Sequence, residues 1–287
     1  MDLVASSNVI DMLSLPTLNW TLLDQWCHSP EAFTPADFAK LRGSGINVFH
    51  PAVAFTKEDD THEITTAWFG KWNRFIGWHP DYFRRIDTPS DLAAARSENK
   101  IGIVLGMQDA NHLRTVADLD TFYATGQRLT QITYNSVNRL GSGCRVRHDA
   151  GLTAFGADVV ARMNSIGMAL DVSHCGERTS LDVIAASGKS VLITHSNCRA
   201  LAPGVARCKS DEVLRAAARS GGVLGITSVP ADARRKLRAC AQSDLDVTRR
   251  CPGHYCTAIV ATLLTAPPAV SFTAYCPAGR AGTTTFT

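Results

Sequence analysis

Residues 165–198 constrain the fold of this 287-residue chain more than any other stretch. Met168-Ala-Leu-Asp-Val-Ser-His174 and Val191-Leu-Ile-Thr-His195 are two short apolar runs, each ending in a histidine. Runs of Val, Ile and Leu bounded by polar residues read as buried parallel strands. Between them, Glu177 to Ser187 carries Leu181, Val183, Ile184 and Ala185 in a helix-like pattern. Gly188 stands where a helix would end in a left-handed residue. The stretch is therefore a βαβ unit with a histidine at the C-terminal end of each strand. In parallel α/β folds that end is where ligands bind. Two neutral imidazoles converging there make a good start to a zinc site.

The same rhythm runs through the rest of the chain. Asn8–Leu13, Ile46–His50, Ile101–Gly106, Leu129–Tyr134 and Gly222–Thr227 read as further strands. Helical patterns follow Thr34-Pro35, occupy much of 65–97, and recur at Val116–Ala124, Phe155–Ser165 and after Ser210. Thr34 and Ser210 are suited to cap helices, and Pro35 suits a first helical position. Residues 14–33, with Pro16, Trp20, Trp26 and Pro30, read as irregular. Seven β-then-α units are legible, and eight would close a (β/α)8 TIM-type barrel. The only candidate for an eighth strand is Thr257–Leu264. No glycine-rich phosphate loop follows any strand, which argues against an open dinucleotide-binding sheet.

Composition changes after residue 231. Residues 232–287 hold seven Arg and Lys against three Asp, a net +4, and four of the nine cysteines lie in the last 50 residues. The expected organisation is a barrel domain over 1–231, incomplete at its C-terminal end, and a divergent tail over 232–287. A shifted reading frame would produce such a tail. Cys251-Pro-Gly-His-Tyr-Cys256 carries metal-type residues there but lacks a second paired half. The net charge of +3 is too small to argue for nucleic acid, and no run is long enough to span a membrane. The start lacks a basic, then apolar, leader pattern, so the expectation is a cytoplasmic protein with reduced cysteines.

A third metal ligand should come from another strand end. Strand three ends at Gln108-Asp109. Asp109 can ligate; Gln108, being neutral, contributes weakly at most. His50 and His112 also follow strands and are candidates to line a pocket. Asp171, within its apolar run, suits a carboxylate that orients a ligand. Trp68, Trp72 and Trp78 read as packing residues, and Ser196 has no nucleophile-elbow pattern around it.

Gly151-Leu-Thr-Ala-Phe-Gly156, Met163 to His174 and Ile193-Thr-His-Ser-Asn197 resemble the membrane (renal) dipeptidase family. These are zinc dipeptidases of the metal-dependent amidohydrolase type, built on a (β/α)8 barrel. The resemblance is close over about residues 95–228 and looser before them. It implies that His174 and His195 bind the second zinc. It implies that Arg207, in Arg207-Cys-Lys-Ser-Asp211, holds the substrate carboxylate, and that Tyr134 replaces a substrate-contacting histidine. The bridging glutamate of the family corresponds to Gln108. The His-x-Asp of its first zinc site corresponds to Leu13 and Leu15, and its final catalytic aspartate has no counterpart. One zinc rather than two is therefore expected.

The implied function is hydrolysis of dipeptides by metal-activated water, with a small peptide as partner, no nucleic acid or membrane, and a homodimer as a compatible assembly. The alternative is an impaired barrel that binds short peptides or acyl amino acids without cleaving them.

Overall fold

The computed structural model describes residues 8–17, 19–56 and 61–227, and the backbone of 270–276 and 280–286. In chain order the elements are β1 (Ile10–Asp11), α1 (Trp20–His28), α2 (Pro35–Gly43), β2 (Val48–Phe49), α3 (Thr61–Trp78), β3 (Phe83–Arg85), α4 (Pro89–Ser97), β4 (Ile101–Ile103) and β5 (Leu105–Met107). Then come α5 (Asp118–Ala124), β6 (Gln127–Gln131), α6 (Ala154–Ile166), β7 (Ala169–Asp171), α7 (Glu177–Ala186), β8 (Val191–Ser196), α8 (Asp211–Arg219) and β9 (Leu224–Ile226). An antiparallel pair, β10 (Val270–Cys276) and β11 (Arg280–Phe286), follows. The Thr257–Leu264 candidate and the Cys251–Cys256 motif lie outside the described residues.

The architecture is a parallel α/β fold in two sheets, ordered β1-β2-β4-β3 and β5-β6-β7-β8-β9. Val104 alone separates β4 from β5, so residues 101–107 form one line of chain shared between the sheets. Its first half pairs with β2 and β3, its second with β6. Among the described residues the sheets do not close into a barrel.

Local chemistry accounts for most of the helix starts. Thr34 and Thr88 each form a capping box, with Asp37 and Asp91 reaching back and Pro35 and Pro89 in the first helical position. Thr153 caps α6, and Gly167 ends it at φ 78°, a left-handed conformation that suits glycine. Gly188 does not serve that purpose for α7, which ends through Ser187 in an extended conformation. Two elements correct the sequence reading. Residues 20–28 form α1, its first turn closed by the Asn19 side chain accepting from Leu22 N at 3.1 Å. The helical reading of 65–97 is split by β3, which adds to the edge of β4.

Aromatic packing fills one end of the core. Trp26 meets Phe33 edge-on at 4.9 Å, and Phe33 meets Phe75 at 5.4 Å. Trp72 is fully buried and Trp68 packs against the core, whereas Trp78 is 59% exposed and contributes little to packing. The strands bury Ile101, Ile103, Leu105, Met107, Leu170 and Ile193. Among the described residues no disulfide joins the five cysteines. Among the described residues no helix is long and apolar enough to cross a membrane.

Candidate metal centre

Strands β7 and β8 bring the two histidines together. His195 belongs to β8, and His174 lies in the turn that follows β7. Both are buried, and their Nε2 atoms are 2.9 Å apart.

The partners of the other ring nitrogens fix both tautomers. His174 Nδ1 lies 2.8 Å from Asn135 Oδ1, an acceptor. His195 Nδ1 lies 2.8 Å from Thr194 Oγ1, whose own hydrogen goes to Asp171 Oδ2 at 2.6 Å. Each imidazole therefore carries its hydrogen on Nδ1 and presents a bare Nε2 lone pair to the other. Two facing lone pairs repel unless an electrophile lies between them. A proton is a poor candidate: burial first, and then the Arg207 guanidinium, hold both imidazoles well below the usual histidine range. A metal ion fits. Two nitrogens on one tetrahedral zinc are roughly 3.3 Å apart, so the pair would open slightly from its 2.9 Å spacing to hold one. Behind the pair, Asn135 Oδ1 and Thr194 Oγ1 accept the Nδ1 hydrogens, the arrangement that orients metal-bound imidazoles.

Asp171 organises the site from below. Its Oδ1 accepts from Ser173 N at 2.9 Å, Ser173 Oγ at 2.5 Å and Thr194 N at 3.1 Å. One buried carboxylate thus holds the residues beside both histidines. On the other face of His174, the Tyr134 ring stacks at 4.2 Å.

The turn carrying His174 leads directly into α7, whose first residue follows Gly176. Gly176 has no side chain to cap that helix, and Asp149 does so from a distant loop. Its Oδ2 accepts from Arg178 N at 2.8 Å and Thr179 N at 3.2 Å.

Arg207 borders the pair. Its Nη1 donates to Ser173 O at 2.6 Å and Ser196 Oγ at 3.2 Å, and its Nη2 to His195 O at 2.5 Å. Three of its five N–H groups are thus committed among the described residues. Lys209 lies nearby, wholly buried; burial lowers its ammonium to about 8.

The other candidates stand apart. Gln108 donates its amide to Ala52 O at 2.9 Å and forms no hydrogen bond to either imidazole. Asp109 is a structural bracket, accepting from Asn138 at 2.7 Å and Asn111 at 3.2 Å. His112 spans Asp109 O and the Gln127 side chain. His50 gives Nδ1 to Met12 O at 2.6 Å, and its Nε2 has no partner among the described residues. Leu15, matched to a lost ligand, packs in the core. Among the described residues no group of three His, Cys, Asp or Glu side chains could hold a metal ion, so the pair is a two-nitrogen half-site. Sequence reading missed Asn135 and Lys209. Asn135 stands at φ 63°, a left-handed conformation that asparagine adopts more readily than most residues.

The model of the family described as membrane dipeptidase, peptidase family M19, matches residues 1–246. An uncharacterized protein from the PQQ-III 3′ region of Acinetobacter calcoaceticus is 33% identical over 164 residues, 55% of this chain and 52% of that protein. The chain spans about half the length of the curated relatives it matches. The solved structure of an amidohydrolase from Pseudomonas aeruginosa is 30% identical, with a TM-score of 0.66 over 78% of this chain and 63% of its own. A metallopeptidase from Rhodobacter sphaeroides, liganded with a phosphinate mimic of the dipeptide L-Ala-D-Ala, shares the fold at 19% identity. Its TM-score is 0.64, over 76% of this chain and 73% of its own.

Proposed function

The chain belongs to the membrane dipeptidase family, peptidase family M19, and from that premise we propose that it is a zinc dipeptidase whose metal is held by His174 and His195. The observation that carries this reading is the pair of bare, facing Nε2 atoms 2.9 Å apart, each backed by a committed Nδ1 hydrogen. Bound there, zinc would supply Lewis-acid polarisation of an amide carbonyl and hydroxide near neutral pH. The residues support one zinc rather than two, because leucines stand at positions 13 and 15 and Gln108 is turned to Ala52.

The protein's own groups bind and orient the substrate. Arg207 keeps two N–H groups uncommitted among the described residues, enough for a two-point contact with the terminal carboxylate of a short peptide. Its other hydrogens tie the carbonyls of Ser173 and His195, so the carboxylate contact and the histidine pair are held in one frame. Tyr134, stacked on His174, covers the face of that imidazole and borders the place where a substrate would lie. A dipeptide is the substrate class suggested by the family and by the ligand of the Rhodobacter neighbour. The non-hydrolysing alternative draws no support from the relatives compared.

Metal analysis of the purified protein, paired with dipeptide hydrolysis before and after zinc addition, tests the proposal. About one zinc per chain and zinc-stimulated turnover are expected. No bound metal and no turnover at any zinc concentration would overturn it.

A further inference from the structure

Lys209 is 2% exposed and makes no ion pair among the described residues. Its ammonium donates to Cys175 O at 2.7 Å and to Ser180 Oγ at 2.9 Å. Two residues earlier, Arg207 donates to Ser173 O at 2.6 Å. His174 lies between these two carbonyls, and its own carbonyl accepts from Cys144 N at 2.8 Å. Three successive carbonyls of the turn are thus fixed, the outer two by cations. The turn cannot rotate without breaking one of these bonds, and its rotation sets where the His174 ring points.

An apolar side chain would fill this space without the desolvation cost of a buried ammonium. The lysine also lies near the first turn of α7, where a positive charge is unfavourable. What it supplies is therefore a donor to the Cys175 carbonyl. We propose that Lys209 is a positioning residue for His174, holding the C-terminal side of its turn while Arg207 holds the N-terminal side. This inference rests on reading His174 and His195 as metal ligands.

The test is calorimetric titration of metal-free full-length protein with zinc. Wild type and His174→Ala establish the site: if both bind zinc alike, the ligand reading itself fails. If only the wild type binds, Lys209→Met is expected to bind about tenfold more weakly, the usual scale for lost support behind a ligand, with an unchanged circular dichroism spectrum. Removing a nearby positive charge would by itself tighten cation binding. Weakening therefore reports the lost carbonyl contact, and equal or tighter binding by Lys209→Met overturns the proposal.

Ser180→Ala removes the other acceptor and leaves the Cys175 contact, so its zinc affinity should match wild type. Weakening equal to that of Lys209→Met would assign the lysine to helix packing and overturn the proposal. Should the methionine variant not fold, Lys209→Gln, which stops one bond short of the carbonyl, carries the test. A loss of about tenfold is then expected, and unchanged affinity overturns the proposal.

Discussion

Gly106 and His50 occupy a space that admits no further atom. A Cβ at Gly106 would stand 2.2 Å from His50 Nε2 and 2.9 Å from Leu129 O. Close approach, rather than an unusual φ, requires the glycine. Gly106→Ala is expected to cost about 1–3 kcal/mol, the usual penalty for overpacking, read from urea unfolding. The cost should shrink when His50→Ala is added, because the two changes share one space. An unfolding midpoint unchanged in Gly106→Ala would refute the packing shown by this pair.

The cap that Asp149 places on α7 should be measurable in the same way. Asp149→Ala leaves the amides of Arg178 and Thr179 without their acceptor. A lost cap costs about 1 kcal/mol, which for a domain of this size lowers Tm by roughly 2–4 °C. Differential scanning calorimetry would show it, and an identical Tm would mean that water replaces the carboxylate at no cost.

Asp11 makes stability depend on pH. Burial raises its carboxyl to about 7 from an ordinary 3.8. Between those values the folded chain keeps a proton that the unfolded chain has lost. Stability from this group is therefore full below about pH 4 and declines as pH rises to about 7, by at most about 4 kcal/mol. Asp11→Asn should be stabilised relative to wild type at pH 8 and matched to it at pH 4. A pH-independent difference between the two proteins would contradict this assignment.

Thr194→Val tests the tautomer argument. The substitution keeps the shape of the side chain but leaves His195 Nδ1 without its acceptor. Zinc affinity should fall about tenfold, as for other lost partners of metal-bound imidazoles, with little change in fold. Competition against a chromophoric chelator would measure it, and wild-type affinity in the variant would show that Thr194 does not orient the ring.

The strands bearing the histidine pair were legible because each apolar run ends in a polar residue at the C-terminal end of a parallel strand, where ligands bind. Asp171 was readable as an orienting carboxylate because it interrupts a buried strand. Helix α1 was hidden by Pro16 and by aromatic residues, although Asn19 before Trp20 is a capping signal. Strand β3 has only three residues between Pro80 and Pro89, too few for periodicity to register, and its pairing depends on where β4 lies. Lys209 could not be found by pattern at all. Its burial is satisfied by the Cys175 carbonyl 34 residues earlier and the Ser180 hydroxyl 29 residues earlier, and a lone lysine near a helix start looks like a surface residue. The closed barrel expected from the rhythm of the chain needs an eighth strand, and that candidate lies outside the described residues.

Residues 101–107 couple the two sheets as a splice couples two lengths of rope. The bonds on one half of the line belong to β2 and β3, those on the other to β6, and Val104 between them still donates to Phe49 O at 3.0 Å. Neither sheet can peel away without dragging on the line that anchors the other. Unfolding that starts at the aromatic end is thus transmitted to the strands bearing the histidines, so the candidate centre is lost cooperatively with the fold rather than melting as a separate unit.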